Sequence, residues 1–75
     1  MATNKLKMKR KEKNISQIDL AKASGVKLKT IRDYEQGVRD LKKAQVGIVF
    51  ALAWALECRV EDLISIEDII DFKEE

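Results

Sequence analysis

The sequence predicts an all-α fold of five short helices. Proline is absent and glycine occurs only three times in 75 residues, so little interrupts helical segments. Apolar residues recur at helical spacing along most of the chain. There is no Asn-Gly or Asp-Gly dipeptide to turn a β-hairpin. A chain this short holds one domain and buries a small core, and an apolar content of 45% separates it from a disordered tail.

The first helix is expected from about Asn4 to Lys13, mostly basic, with Leu6 as its clearest core residue. Asn14, Gly25 and Gly37 follow helical segments and suit the left-handed backbone that closes a helix. Ser16, with Asp19 three residues on, has the form of an N-terminal cap with a carboxylate near the positive end of the helix dipole. The second helix then runs from Gln17 to about Ala23, with Leu20 and Ala21 facing inward. After the turn Ser24-Gly25-Val26, a third helix is expected from about Leu28 to Gln36, with Val26, Ile31 and Tyr34 as its apolar stripe. Val38 to Lys43 forms a polar connection.

The fourth helix is expected from about Ala44 to Glu57, with Val46, Val49, Phe50, Ala53 and Leu56 on one apolar face. Ile48, Leu52, Trp54 and Ala55 add apolar groups elsewhere, so this helix needs cover on more than one side. A short fifth helix spans about Val60 to Ile64. The segment 65–75 carries Ile66, Ile69, Ile70 and Phe72, and reads as a short helix or an extended strand. It either covers the core or joins Trp54 in a subunit interface.

Charge is divided unevenly. Residues 1–43 hold thirteen Lys/Arg against five Asp/Glu, while residues 44–75 hold two against eight, on a chain of net charge +2. A basic half on a nearly neutral chain suits a polyanionic partner. Histidine is absent, which removes Ser-His and Cys-His nucleophile pairs and His-based metal sites. No phosphate-cradling glycine loop is present, so no enzyme, cofactor, metal or small-molecule ligand is expected. The charged first fourteen residues lack the apolar stretch of a signal peptide. The longest apolar run, 48–56, is too short to span a bilayer. Cys58 is the only cysteine; a lone thiol fits a reducing cytoplasm and a partly buried filler role.

Two short helices joined by a glycine-containing turn have the form of a helix-turn-helix, whose second helix enters the major groove. Beyond that pattern, 6–63 resembles the Cro/repressor (XRE) helix-turn-helix family. The resemblance lies in Ile15-Ser16-Gln17, Leu20-Ala21, Gly25-Val26, Thr30-Ile31, Tyr34-Glu35 and Gly37, then Leu52-Ala53, Ala55-Leu56 and Val60-Glu61-Asp62-Leu63. It implies a phage-repressor-like five-helix domain over 4–64, followed by the 65–75 tail. It further implies a transcriptional regulator that works as a homodimer on palindromic double-stranded DNA. In relatives, an Arg of the first helix bridges to the Glu near the end of the third, and Arg10 and Glu35 match both positions. The residue matching Gln17 commonly donates to a phosphate. Lys9 stands where the family is usually aliphatic; its stem can snorkel, or Met8 can turn inward. Lys27 and Arg59 replace the small hydroxyl residues common before the third and fifth helices, and the connection after Arg39 lacks the family's proline.

Chemistry assigns the remaining contacts. Lys27, Leu28, Lys29 and Thr30 open the third helix, whose N-terminal part reaches base edges. Lys29 and Arg32 can donate to guanine, Asp33 can accept from cytosine, and Leu28 can pack on a thymine methyl. Gln36, Arg39, Lys42 and Lys43 can hold phosphates, as can Arg10 beside its bridge. The alternative is a protein-interaction module, an antitoxin or adaptor, that uses the same fold.

Overall fold

The computed structural model describes residues 4–64, and in these the chain is helical without strands. Helix α1 spans Lys5–Glu12, α2 Gln17–Ser24, α3 Leu28–Gln36, α4 Val46–Ala55 and α5 Val60–Leu63, with a 3₁₀ turn at Leu41–Lys43. The main packing contacts run in a ring: α1 on α3, α3 on α2, α2 on α4, α4 on α5, and α5 back on α1. Leu6, Leu20, Ile31, Leu52 and Leu56 are fully buried at its centre. The expected roles of Ile66, Ile69, Ile70 and Phe72 lie outside the described residues.

Helix ends follow local chemistry. Asn4 caps α1, accepting from the Lys7 amide. Its side-chain amide also donates to the Tyr34 carbonyl at 2.8 Å, which ties the start of α1 to the end of α3. Ser16 Oγ accepts from the Asp19 amide, as its position in the sequence predicts. Asn14, Gly25 and Gly37 all adopt positive φ, at 58°, 77° and 82°. Beyond α3, the Val38 amide donates to the Asp33 carbonyl and the Gly37 amide to Tyr34, the paired closure that a left-handed residue allows.

Three expectations need correcting. Helix α4 begins at Val46 rather than Ala44, because Asp40 caps the 3₁₀ turn by accepting from the Lys42 amide and that turn takes up the preceding residues. Its buried stripe is Val49, Leu52, Ala53 and Leu56, which is not the apolar face grouped from the sequence: Val46 and Phe50 of that face are exposed along with Trp54. Last, Glu57 closes α4 with φ 54°, the same role that Asn14 and Gly37 play. Cys58 donates its amide to Ala53 across this turn and Glu57 to Trp54. At position 9 the snorkelling geometry holds: Lys9 is half-buried with Nζ 3.4 Å from Glu12 Oε1, and Met8 is exposed.

A glutamate in left-handed backbone carries a steric cost that glycine avoids. Glu57→Gly is therefore expected to stabilise the domain by about 0.5–1 kcal/mol, after deducting glycine's greater unfolded-state entropy. A thermal melt at fixed pH checks this; an unchanged or lowered midpoint contradicts it.

Candidate nucleic-acid interface

The site is built around one face of α3. Ile31, Tyr34 and Glu35 are buried beneath the helix, while Lys29, Arg32 and Gln36 are exposed above it. The two sets follow i, i+3, i+4 and i, i+3, i+7 spacing, so one side of α3 belongs to the core and the other to solvent. Lys27, at the N-cap, is exposed and supplies no side-chain cap hydrogen bond. Leu28, Thr30 and Asp33 are half-buried along the edges. Arg39, Lys42 and Lys43 follow on the exposed connection.

Behind α3 lies a polar network that joins three helices. Arg10 donates from Nε to Glu35 Oε2 at 2.7 Å and from Nη2 to Oε1 at 3.0 Å, the paired fork geometry of strong Arg–carboxylate contacts. Its Nη1 donates to the Ile15 carbonyl at 3.0 Å. The two side chains are only 12% and 2% exposed. Gln17 donates from Nε2 to Glu35 Oε1 at 3.0 Å and accepts at Oε1 from Arg32 Nε at 3.4 Å. The bridge that the sequence implies between Arg10 and Glu35 is present. The links from Gln17 to Glu35 and Arg32 are additional. Nothing in the sequence signals them, since they join residues 18 and 15 positions apart. The Glu35 carboxylate holds the Arg10 pKa above its ordinary value, so the guanidinium is charged at any pH at which the domain works.

The acids of α3 are thus neutralised by neighbours. Glu35 belongs to Arg10. The Asp33 carboxylate, which the sequence offers to cytosine, is 13% exposed and accepts from Lys29 at 3.4 Å and Arg39 at 3.3 Å. What α3 turns to solvent is cationic and polar.

Elsewhere chemistry is sparse. Burial, with help from Asp62, pushes the Cys58 thiol above its usual pKa, so it stays protonated at neutral pH and is a weak nucleophile. Among the described residues no acidic, Cys or His cluster could hold a metal ion. None of the described helices is long and apolar enough to cross a membrane.

Two helices at a tight turn, the second braced from behind and turning Lys29, Arg32 and Gln36 to solvent, have the form of a helix-turn-helix. Residues 6–63 match the family model described as helix-turn-helix, and the chain belongs to this Cro/C1-type (XRE) family of DNA-binding regulators. No curated protein and no solved structure matches the chain closely enough to add to that assignment.

The Arg10–Glu35 pair yields a stability prediction. Glu35→Leu leaves a nearly buried guanidinium without its carboxylate and should cost about 3–5 kcal/mol. The double replacement Arg10→Met/Glu35→Leu removes the stranded charge and should recover at least about 2 kcal/mol of the summed single losses. Urea unfolding of the three variants measures the coupling; additive losses would show that the two side chains act independently.

Proposed function

We propose that the protein is a sequence-specific regulator of transcription that lays α3 in the major groove of double-stranded DNA and acts as a repressor by occupying its site. The observation that carries this reading is the exposure of Lys29, Arg32 and Gln36 along one side of a helix whose other side is locked into the core.

Each side chain then has a role set by chemistry. Arg32 and Lys29 donate to guanine O6 and N7, and Leu28 meets a thymine methyl. Thr30 lies at the edge of the reading face. Asp33, already shared between Lys29 and Arg39, orients those cations, and releases Lys29 when a base competes for it. Gln17 has one amide hydrogen left for a phosphate after serving Glu35. Lys27, Gln36, Arg39, Lys42 and Lys43 flank the groove and hold phosphates, which positions the domain without reading sequence. Arg10 supports this surface from behind.

Selection from random-sequence DNA followed by footprinting tests the proposal. A defined site should emerge. Lys29→Ala and Arg32→Ala should each weaken binding to it by about 1–3 kcal/mol, with smaller losses on random DNA; equal losses on both would make them phosphate contacts. Four cations on phosphates per copy, Lys27, Arg39, Lys42 and Lys43, should give a log–log salt slope of about −3.6. Binding that ignores salt would favour the protein-interaction reading.

A further inference from the structure

The connection after α3 runs beside the start of α1 and the end of α5, and a groove of about 390 Å³ lies among them. Leu6, Leu41 and Ile64 give it an apolar, buried floor. Lys5, Arg39 and Lys42 stand around it, all three exposed, and Asp40 is the acid of the lining. Asp40 is already committed: it accepts from the Lys42 amide and lies 4.0 Å from Lys42 Nζ. Arg39 touches Asp33 through Nε at 3.3 Å, yet its side chain remains 60% exposed and can take a second acceptor.

The chain runs from this groove directly into 65–75. Ile64 is part of the floor, and its backbone is extended, at φ −128° and ψ 121°. The other end of α5 borders a different hollow, where Arg59, Val60 and Glu61 lie beside Phe50 and Trp54. Segment 65–75 holds Glu67, Asp68, Asp71, Glu74 and Glu75 against Lys73, with Ile66, Ile69, Ile70 and Phe72 among them. It therefore starts at the edge of the groove and carries what floor and rim both lack: apolar side chains and negative charge. The exposed stripe of α4 matches only half of this composition, since no residue of that helix is charged.

We propose that 65–75 docks in this groove as an acidic strap, sets its carboxylates against Lys5, Arg39 and Lys42, and competes with DNA phosphates for Arg39 and Lys42. The competition rests on the DNA reading above; the contact itself does not. Exposed ion pairs are individually weak, and the tether makes them sufficient. Glu67 and Asp68 lie three and four residues beyond Ile64, within about 10–14 Å of chain. A partner joined this closely acts at an effective concentration in the millimolar range. Apolar side chains on the floor add to the hold. The strap lowers affinity for every duplex that uses these two cations, and so shortens the time spent on random DNA.

Carbodiimide cross-linking of the full chain, without DNA, reads the contact. Product of monomer mass should join Lys5 or Lys42 to Glu67, Asp68 or Asp71 in preference to Lys7, Lys11 or Lys13. Yields spread evenly over the lysines of α1 overturn the proposal, as does product of dimer mass alone. In nuclear magnetic resonance spectra, Glu67→Gln/Asp68→Asn/Asp71→Asn should move the amides of Arg39, Leu41 and Lys42. Movement of the Phe50 and Trp54 amides instead puts the segment on α4 and overturns the groove. A random duplex should be bound about tenfold more tightly by this triple variant at low salt, with the gain fading as salt rises. Glu12→Gln/Glu57→Gln/Glu61→Gln makes the same change in net charge away from the groove, and an equal gain from it overturns the competition. Should no form of the chain bind DNA, the regulator reading fails and the competition with it, while cross-links and amide shifts still decide the contact.

Discussion

A buried ion pair sets the pose of α3. Arg10 and Glu35 stand 25 positions apart, yet their contact fixes the C-terminal half of α1 against the last turn of α3. The same guanidinium holds the carbonyl of Ile15 in the link to α2, and the same carboxylate holds Gln17 at the start of α2. Taking both charges out of water costs energy that their attraction only partly offsets. What the arrangement supplies is geometry: the fork and the planar carboxylate accept few relative orientations. Among the described residues no buried side-chain nitrogen or oxygen lacks a partner, so this arrangement leaves none of the desolvated groups unsatisfied. Asn4 adds a second tie between α1 and the Tyr34 carbonyl at the same end of α3.

How much of this is legible in the sequence depends on the kind of signal. Turns are legible where the residue type is committed to its backbone: glycines at 25 and 37 and an asparagine at 14 all take the left-handed conformation. Glu57 is not legible, because nothing in a glutamate favours that region; the end of α4 imposes it. Asp40 is similar. Its cap on the 3₁₀ turn has no apolar run behind it to announce a helix start, so α4 reads two residues too long at its beginning. For the interface, α3 is clear because Lys29, Arg32 and Gln36 fall on the side opposite Ile31 and Tyr34; Glu35, charged yet buried, is the exception to that pattern. Arg10–Glu35 follows from likeness to relatives, while Gln17–Glu35 and Gln17–Arg32 emerge only from packing.

Helix α4 shows where pattern reading fails for a physical reason. Positions 46, 49, 50 and 53 form an i, i+3, i+4, i+7 set, and so do 49, 52, 53 and 56. They share Val49 and Ala53 and differ by a rotation of less than a full turn. In a helix with no charge, either set can face inward. The decision is made by neighbours: the helix packs on α2 and α5, Leu52 and Leu56 are fully buried, and Phe50 and Trp54 are turned out. A domain this small has little apolar area to spare, so leaving an aromatic stripe wet is informative in a way that a single exposed leucine is not.

The two acids of α3 illustrate how one helix can be anchored and still receive a ligand. Glu35 is buried, and exchanging its partner would strand a charge away from water, so it acts as a fixed part of the scaffold. Asp33 shares its carboxylate with Lys29, which is 85% exposed, and with Arg39, which is 60% exposed. Contacts between such wet cations and a carboxylate contribute little to stability. Losing one to a phosphate or a guanine therefore costs the fold little, while the new acceptor gains a cation already held near its place. Had the burial been reversed, with Asp33 deep and Glu35 at the rim, the cations of the exposed face would be committed to the core and α3 would have no brace. The distribution of burial between these two carboxylates, rather than the number of positive charges, is what allows the helix to be rigid behind and available in front.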